Sequence, residues 1–248
     1  MPTPSPRPTP VPAPAASIGQ SGSLCGLELV RQIGVVSSRP PADTLKSASQ
    51  TQAVGQRARS DTSMIEELVY PSNKMPPHLK CQVLSFLRIM WPNGFVLENR
   101  LRDWISHEED HSISMMLVEK GVLISHTQVV WKYLDHAGET YKAYGLSGVF
   151  TYPAFRGKGH GKRIVDKGTS YIEASDADIG IFHCDMSLKQ FYASSGWIPI
   201  ETAVTLEGPK DNPVIDDEMM MMRFFTEHGK KGRPAFEKIP LYFGEYTW

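Results

Sequence analysis

From residue 63 onward the apolar positions recur at two spacings, and each change of spacing marks an element. Ser63 to Tyr70 is a run of strand formers stopped by Pro71. Pro76 and Pro77 suit a helix start, after which Leu79, Val83, Phe86, Leu87 and Met90 share one face. Glu98 to Ile105 reads as a second short helix. Ile113, Met115 and Leu117 alternate as in a half-buried strand, Gly121 turns the chain, and Val122 to Tyr133 forms the next strand. Asp135-His136-Ala137-Gly138 is a hairpin loop into a strand from Thr140 to Thr151.

Past Pro153 the period becomes helical, with Ile164, Val165, Gly168, Tyr171 and Ile172 in register. Ile179 to Cys184 is almost wholly apolar, as a strand covered on both faces should be. Leu188 to Ser194 reads as a helix, and Trp197 to Leu206 and Glu218 to Phe225 as strands. The methionines from Met219 to Met222 suit an inner strand better than a ligand box. The order β-α-α-β-β-β-α-β-α-β-β predicts an α+β fold around a mixed, mostly antiparallel sheet.

Composition changes this picture mainly at the N-terminus. Residues 1–60 are rich in Pro and Ser, offer few large apolar side chains, and are expected to be a disordered tail ahead of a domain over 61–248. The tail is Arg-rich and acid-poor like an organelle presequence, but its opening proline density works against the required helix. No apolar core of a secretory signal is present. The whole chain has 248 residues, 41% of them hydrophobic, enough for one full core. Its net charge of −1 gives no general attraction to nucleic acid or an acidic membrane, and no apolar run could span a bilayer. Cys25, Cys81 and Cys184 are scattered, which fits a reducing, cytoplasmic setting. The histidines never pair with Cys or carboxylate at ligand spacing, so no metal is expected.

The strongest chemical signal is Arg156-Gly157-Lys158-Gly159-His160-Gly161-Lys162, set between a strand and a helix. Glycines there let backbone N–H groups and the helix N-terminus converge on an anion. Two phosphate-loop patterns are excluded. Gly161 is followed by Lys162 and Arg163, with no hydroxyl for a magnesium ion, and Gly157, Gly159 and Gly161 alternate rather than follow the dinucleotide spacing. A basic surface turn is the plain alternative.

The pattern Arg156-x-x-Gly159-x-Gly161 before a helix resembles the acetyl-CoA signature of the GNAT N-acetyltransferase superfamily. Phe191-Tyr192-Ala193-Ser194-Ser195-Gly196-Trp197 resembles its second signature, in the right order and at the right distance. The resemblance covers roughly residues 63 to 225. It implies a sheet whose two central parallel strands splay apart, with acetyl-CoA as acyl donor lying in the gap. The backbone of Arg156, Gly157, Lys158, Gly159, His160, Gly161 and Lys162 would then hold the pyrophosphate. The backbone of Val149, Phe150 and Thr151 would align pantetheine, and Tyr192 would protonate the leaving thiolate. The plain reading of Tyr192 is an aromatic that seals the cofactor arm.

Asp216-Asp217 and the tail Gly244-Glu245-Tyr246-Thr247-Trp248 look like the aminoglycoside 2′-N-acetyltransferases, where a terminal tryptophan and a nearby acid help close the amine site. On that resemblance Ser147, Asp217, Glu245 and Trp248, with its terminal carboxylate, would contact a small-molecule amine. Ser147 stands where those enzymes carry a glutamate, which leaves the base open among His183, Cys184 and Asp185. Cys184 in an apolar strand reads as an inert thiol and His183 as a core histidine. Glu108-Glu109-Asp110 reads as a solvated loop, and Lys230-Lys231-Gly232-Arg233 as an exposed turn. The expectation is direct acetyl transfer to a small cationic amine. A protein or peptide acceptor, a non-catalytic acyl-CoA-binding module and a homodimer all stay open.

Overall fold

Strand-forming runs and their turns assemble into one large sheet and one small one in a computed structural model that describes residues 64–248. The tail predicted for residues 1–60, with Cys25, and the start of the first predicted strand at Ser63 lie outside the described residues. The elements are β1 (Glu66–Pro71), α1 (Pro77–Met90), β2 (Ile113–Glu119), β3 (Val122–His136), β4 (Glu139–Thr151), α2 (His160–Glu173), β5 (Ile179–Cys184), α3 (Lys189–Ala193), β6 (Ile198–Pro199), β7 (Thr205–Glu207), β8 (Val214–Asp216), β9 (Met219–Phe224), α4 (Glu227–Lys238) and β10 (Leu241–Gly244). The large sheet has the order β1-β2-β3-β4-β5-β9-β6, and the small one β10-β7-β8. Within the large sheet every pairing is antiparallel except β4 with β5. The mixed α+β fold is as the order of periods predicts.

Strict alternation explains the two-sided core. Met115 and Leu117 of β2 pack on the α2 face, while Met116 and Val118 pack on the α1 face with Val83, Phe86 and Leu87. The methionine strand β9 divides likewise. Met219 and Met221 join Phe182, Tyr192 and Trp197, whereas Met220 and Met222 join Tyr141, Phe236 and Phe243 under α4. Gly180 leaves the space that Trp197 fills, since a Cβ there would meet the indole at 2.9 Å. The indole N–H then donates to Thr169 Oγ1 at 2.9 Å, tying β6 to α2.

Four local expectations are corrected. Glu98–Ile105 is not an α-helix: its first residues belong to a 3-10 turn, Leu97–Leu101, which opens on Leu97 at φ +49° and follows another over Pro92–Phe95. Arg102 holds those turns by donating to the carbonyls of Gly94 and Ile105. The expected strand Trp197–Leu206 is split at a turn near Glu201-Thr202, so β6 lies in the large sheet and β7 in the small one. The loop at Asp135–Gly138 shortens to Ala137-Gly138, both at positive φ, a two-residue hairpin turn.

The exposed turn at Lys230–Arg233 is instead the middle of α4, despite Gly229, Gly232 and Pro234. Close packing overrides propensity there. A Cβ at Gly229 would meet the Asp178 carbonyl oxygen at 2.2 Å, and one at Gly232 the Tyr141 hydroxyl at 2.3 Å.

Candidate active site

The site grows from a defect in the sheet. β4 and β5 pair only at Ala143↔Ile179 and Tyr144↔Gly180, and beyond that point they part. Gly145 is the first residue past the last pair, and its missing side chain matters. A Cβ there would lie 2.4 Å from the Ile181 carbonyl oxygen and 2.5 Å from the indole of Trp248. The Trp248 carbonyl accepts from the His183 N–H of β5 at 3.2 Å, so the tail occupies the β5 edge of the gap.

One buried and two half-buried polar side chains anchor that tail. Asp110 is 6% exposed and accepts from the Tyr246 hydroxyl at 3.1 Å and the Trp248 indole N–H at 3.3 Å. The expectation of a solvated acidic loop is therefore wrong for Asp110, whose neighbours Glu108 and Glu109 are exposed. Glu207 accepts from the Thr247 N–H and hydroxyl. Lys132 donates to the Phe243 carbonyl at 2.6 Å and lies over the Phe243 and Trp248 rings. Burial lowers its ammonium to about 8, with Asp110 working against that fall.

The glycine loop lies at the other end of β4. Gly157 and Gly159 take φ of +76° and +80° with open space where a Cβ would be, and Gly159 caps α2 without any side-chain bond. The first N–H groups of α2, from His160 to Lys162, thus face outward with no carbonyl one turn behind them. Arg156 Nε donates to the Thr151 carbonyl at 2.9 Å, which fixes the loop to the strand. Gly161 packs against Thr151 Oγ1 and the Phe191 ring, bringing the loop, the strand end and α3 together.

Strand β4 also carries a bulge. Gln128 pairs with Ser147 and His126 with Phe150, so Gly148 and Val149 together oppose Thr127. Gly148 has φ +54° there.

Tyr192 is buried on α3, packed edge-on against Phe182 and Phe191. Burial raises its phenol well above the ordinary value, with Cys184 and Glu218 adding to the rise, so it stays protonated through neutral pH. Cys184 is buried and pushed up to about 12, chiefly by burial, as an inert thiol should be. His183 is held as a core histidine, with Nε2 2.9 Å from Thr205 Oγ1, and burial lowers it to about 4.

Sequence reasoning missed Glu218, which stands just before β9, one position from the residue paired with Cys184. Burial pushes its carboxyl up to about 7, with Asp216, Asp185, Asp217 and Glu207 adding repulsion. The residue as a whole is exposed. The adjacent Asp216-Asp217 pair was the available signal. Asp217 and Glu245 are exposed, while Ser147 is half-buried opposite Gln128. Lys132 and Asp110 carried no local signal, because their partners lie at the far end of the chain.

The glycine turn follows the end of β4, and the buried phenol of Tyr192 and the carboxylates around Glu218 lie near Cys184 at the end of β5. The family model described as an acetyltransferase (GNAT) domain matches residues 79–200. No curated protein matches the chain in sequence. Similar solved structures include Escherichia coli ElaA, at 17% identity over 64% of this chain and 99% of that one, with TM-score 0.43. An acyl-CoA N-acyltransferase from Pseudomonas aeruginosa has 15% identity over 64% and 99%, TM-score 0.42. A GNAT family acetyltransferase from Brucella melitensis in complex with acetyl-CoA has 13% identity over 65% and 89%, TM-score 0.39.

Proposed function

We propose, from the match of residues 79–200 to the GNAT acetyltransferase model, that this chain is an acyltransferase that moves the acetyl group of acetyl-CoA directly onto a primary amine of a small cationic acceptor. The observation that carries the acceptor class is the carboxylate rim of Asp185, Glu207, Asp216, Asp217 and Glu218 beside the parted strands. Such a rim concentrates cationic amines and repels anionic ones. The docked tail supports a small acceptor over a polypeptide, since Trp248 narrows a gap that a peptide groove would leave open. An aminosugar is the finer reading, by likeness to enzymes closed by a terminal tryptophan.

The residues present fit the donor. Open glycines at 157 and 159 and the uncapped α2 start suit a pyrophosphate, and the free edge of β4 from Val149 to Thr151 suits an amide-bearing arm. Acetyl-CoA supplies the acetyl group already activated as a thioester. Glu218, poised near neutrality, takes a proton from the bound ammonium, which frees the nitrogen lone pair for attack on the acetyl carbon. As the carbon–sulfur bond breaks, Tyr192 Oη gives its proton to the sulfur, and the nitrogen's second proton returns the phenolate to phenol, so that Glu218 alone holds the net proton released. Cys184 has no part in this direct transfer.

Thiol release from acetyl-CoA over an amine panel tests the reading. Turnover should favour polyamines and aminosugars, and Tyr192→Phe should lower kcat by about 10²-fold or more. Tight acetyl-CoA binding with no turnover on any amine would instead make the protein a binding module.

A further inference from the structure

His126 is fully buried in the first half of β3. Its Nδ1 lies 2.8 Å from the carbonyl oxygen of Gly148 and its Nε2 3.2 Å from Ser114 Oγ. Burial lowers the imidazole to about 4, so it is neutral at physiological pH and carries one ring proton. A carbonyl can only accept, which puts that proton on Nδ1 and leaves Nε2 to accept from Ser114.

Proton accounting then gives a single direction to the whole buried network. Gln128 Nε2 donates to Ser72 Oγ at 2.9 Å, Ser72 donates to Ser114 at 2.9 Å, Ser114 donates to His126, and His126 donates to Gly148. The chain of donors ends on the carbonyl of Gly148, one of the two β4 residues at the bulge. In a trans peptide the C=O and the following N–H point opposite ways. With the Gly148 oxygen held on His126, the Val149 N–H is turned away from His126.

We propose that His126 is a positioning residue for acyl-donor recognition: its bond to the Gly148 carbonyl locks the bulge peptide so that the Val149 N–H is aimed at the thioester carbonyl. This rests on the acetyl-CoA reading above and adds the residue that sets one donor of that site. A buried histidine kept only for packing would stabilise the fold without distinguishing an acetyl group from a free thiol.

Calorimetric binding of acetyl-CoA and of CoA to the full chain separates the two. Wild type should favour acetyl-CoA, by about 10-fold for one well-aimed hydrogen bond. His126→Leu should lose that preference while keeping its affinity for CoA, which the glycine loop holds. His126→Asn, whose side-chain N–H replaces Nδ1–H, should restore most of it. Should the leucine variant fail to fold, Ser114→Ala, which removes the hydroxyl that fixes the tautomer, should show the same loss in weaker form. Equal affinities in wild type, or a folded leucine variant with the preference intact, overturn the proposal. Where turnover is measurable, His126→Leu should lower kcat by about 10²-fold with the amine KM unchanged. A preference for acetyl-CoA without turnover on any amine sinks the proposed function and leaves this inference standing.

Discussion

The indole of Trp248 occupies the place that a side chain on Gly145 would need, 2.5 Å from the Cβ position. Gly145→Ala should therefore displace the tail or widen the gap, at a cost of about 1–3 kcal/mol. Trp248→Ala should raise the amine KM and leave acetyl-CoA binding nearly unchanged. Steady-state kinetics and tryptophan fluorescence check both. An unchanged amine KM in Trp248→Ala would remove the tail from the acceptor site.

Stability should depend on pH with two opposed signs. Below about pH 6.5 the unfolded chain protonates His126 and His183, whereas the folded chain resists until about pH 4. Their contribution is thus full above pH 6.5 and lost as pH falls through that window, on the order of 3 kcal/mol each. Glu218 runs the other way: its folded value is raised, so its contribution is present below about 4.5 and lost as pH rises through about 7. Glu218→Gln should be more stable than wild type at pH 8, equal to it near pH 4, and nearly inactive. Urea titrations across pH 4 to 8 measure each sign, and a variant with wild-type turnover would dismiss Glu218 as the base.

Thiol chemistry should separate the two described cysteines. In a Cys25→Ser background, Cys81, which is exposed, should react with a thiol reagent at pH 8, and Cys184 only after unfolding. Cys184→Ala should keep full turnover. Loss of turnover with the fold intact would argue for a covalent acetyl-cysteine route instead.

In α4, propensity and packing make opposite forecasts. Gly232→Ala should add about 1 kcal/mol of helix propensity, yet the new methyl would meet the Tyr141 hydroxyl at 2.3 Å. Overpacking costs about 1–3 kcal/mol, so the variant should melt lower than wild type. A higher melting temperature would show that Tyr141 moves aside freely.

These cases mark how far the sequence reaches. The path from β4 through the glycine loop to α2 is legible, because one change of period and its glycines all fall within a short stretch. Tyr192 and Trp197 are legible for the same reason. The small sheet is not, since β10 pairs with β7 across a long stretch of chain and each strand alone is too short to announce itself. Helix α4 reads as a turn because its glycines answer to Asp178 and Tyr141, which no local window contains. Asp110 looks like surface until Trp248, 138 residues later, folds onto it. Periodicity reports local packing, and the tail side of this gap is built from distant pairs.

The parting of β4 and β5 also has a thermodynamic reading. The gap, already lined by an indole on its β5 edge, is where the proposed acyl arm and the tail would meet. Whatever factor tail docking contributes to ligand affinity, the ligand must return to tail docking. Protection of the last residues from carboxypeptidase would then report occupancy of the gap, with no chemistry required.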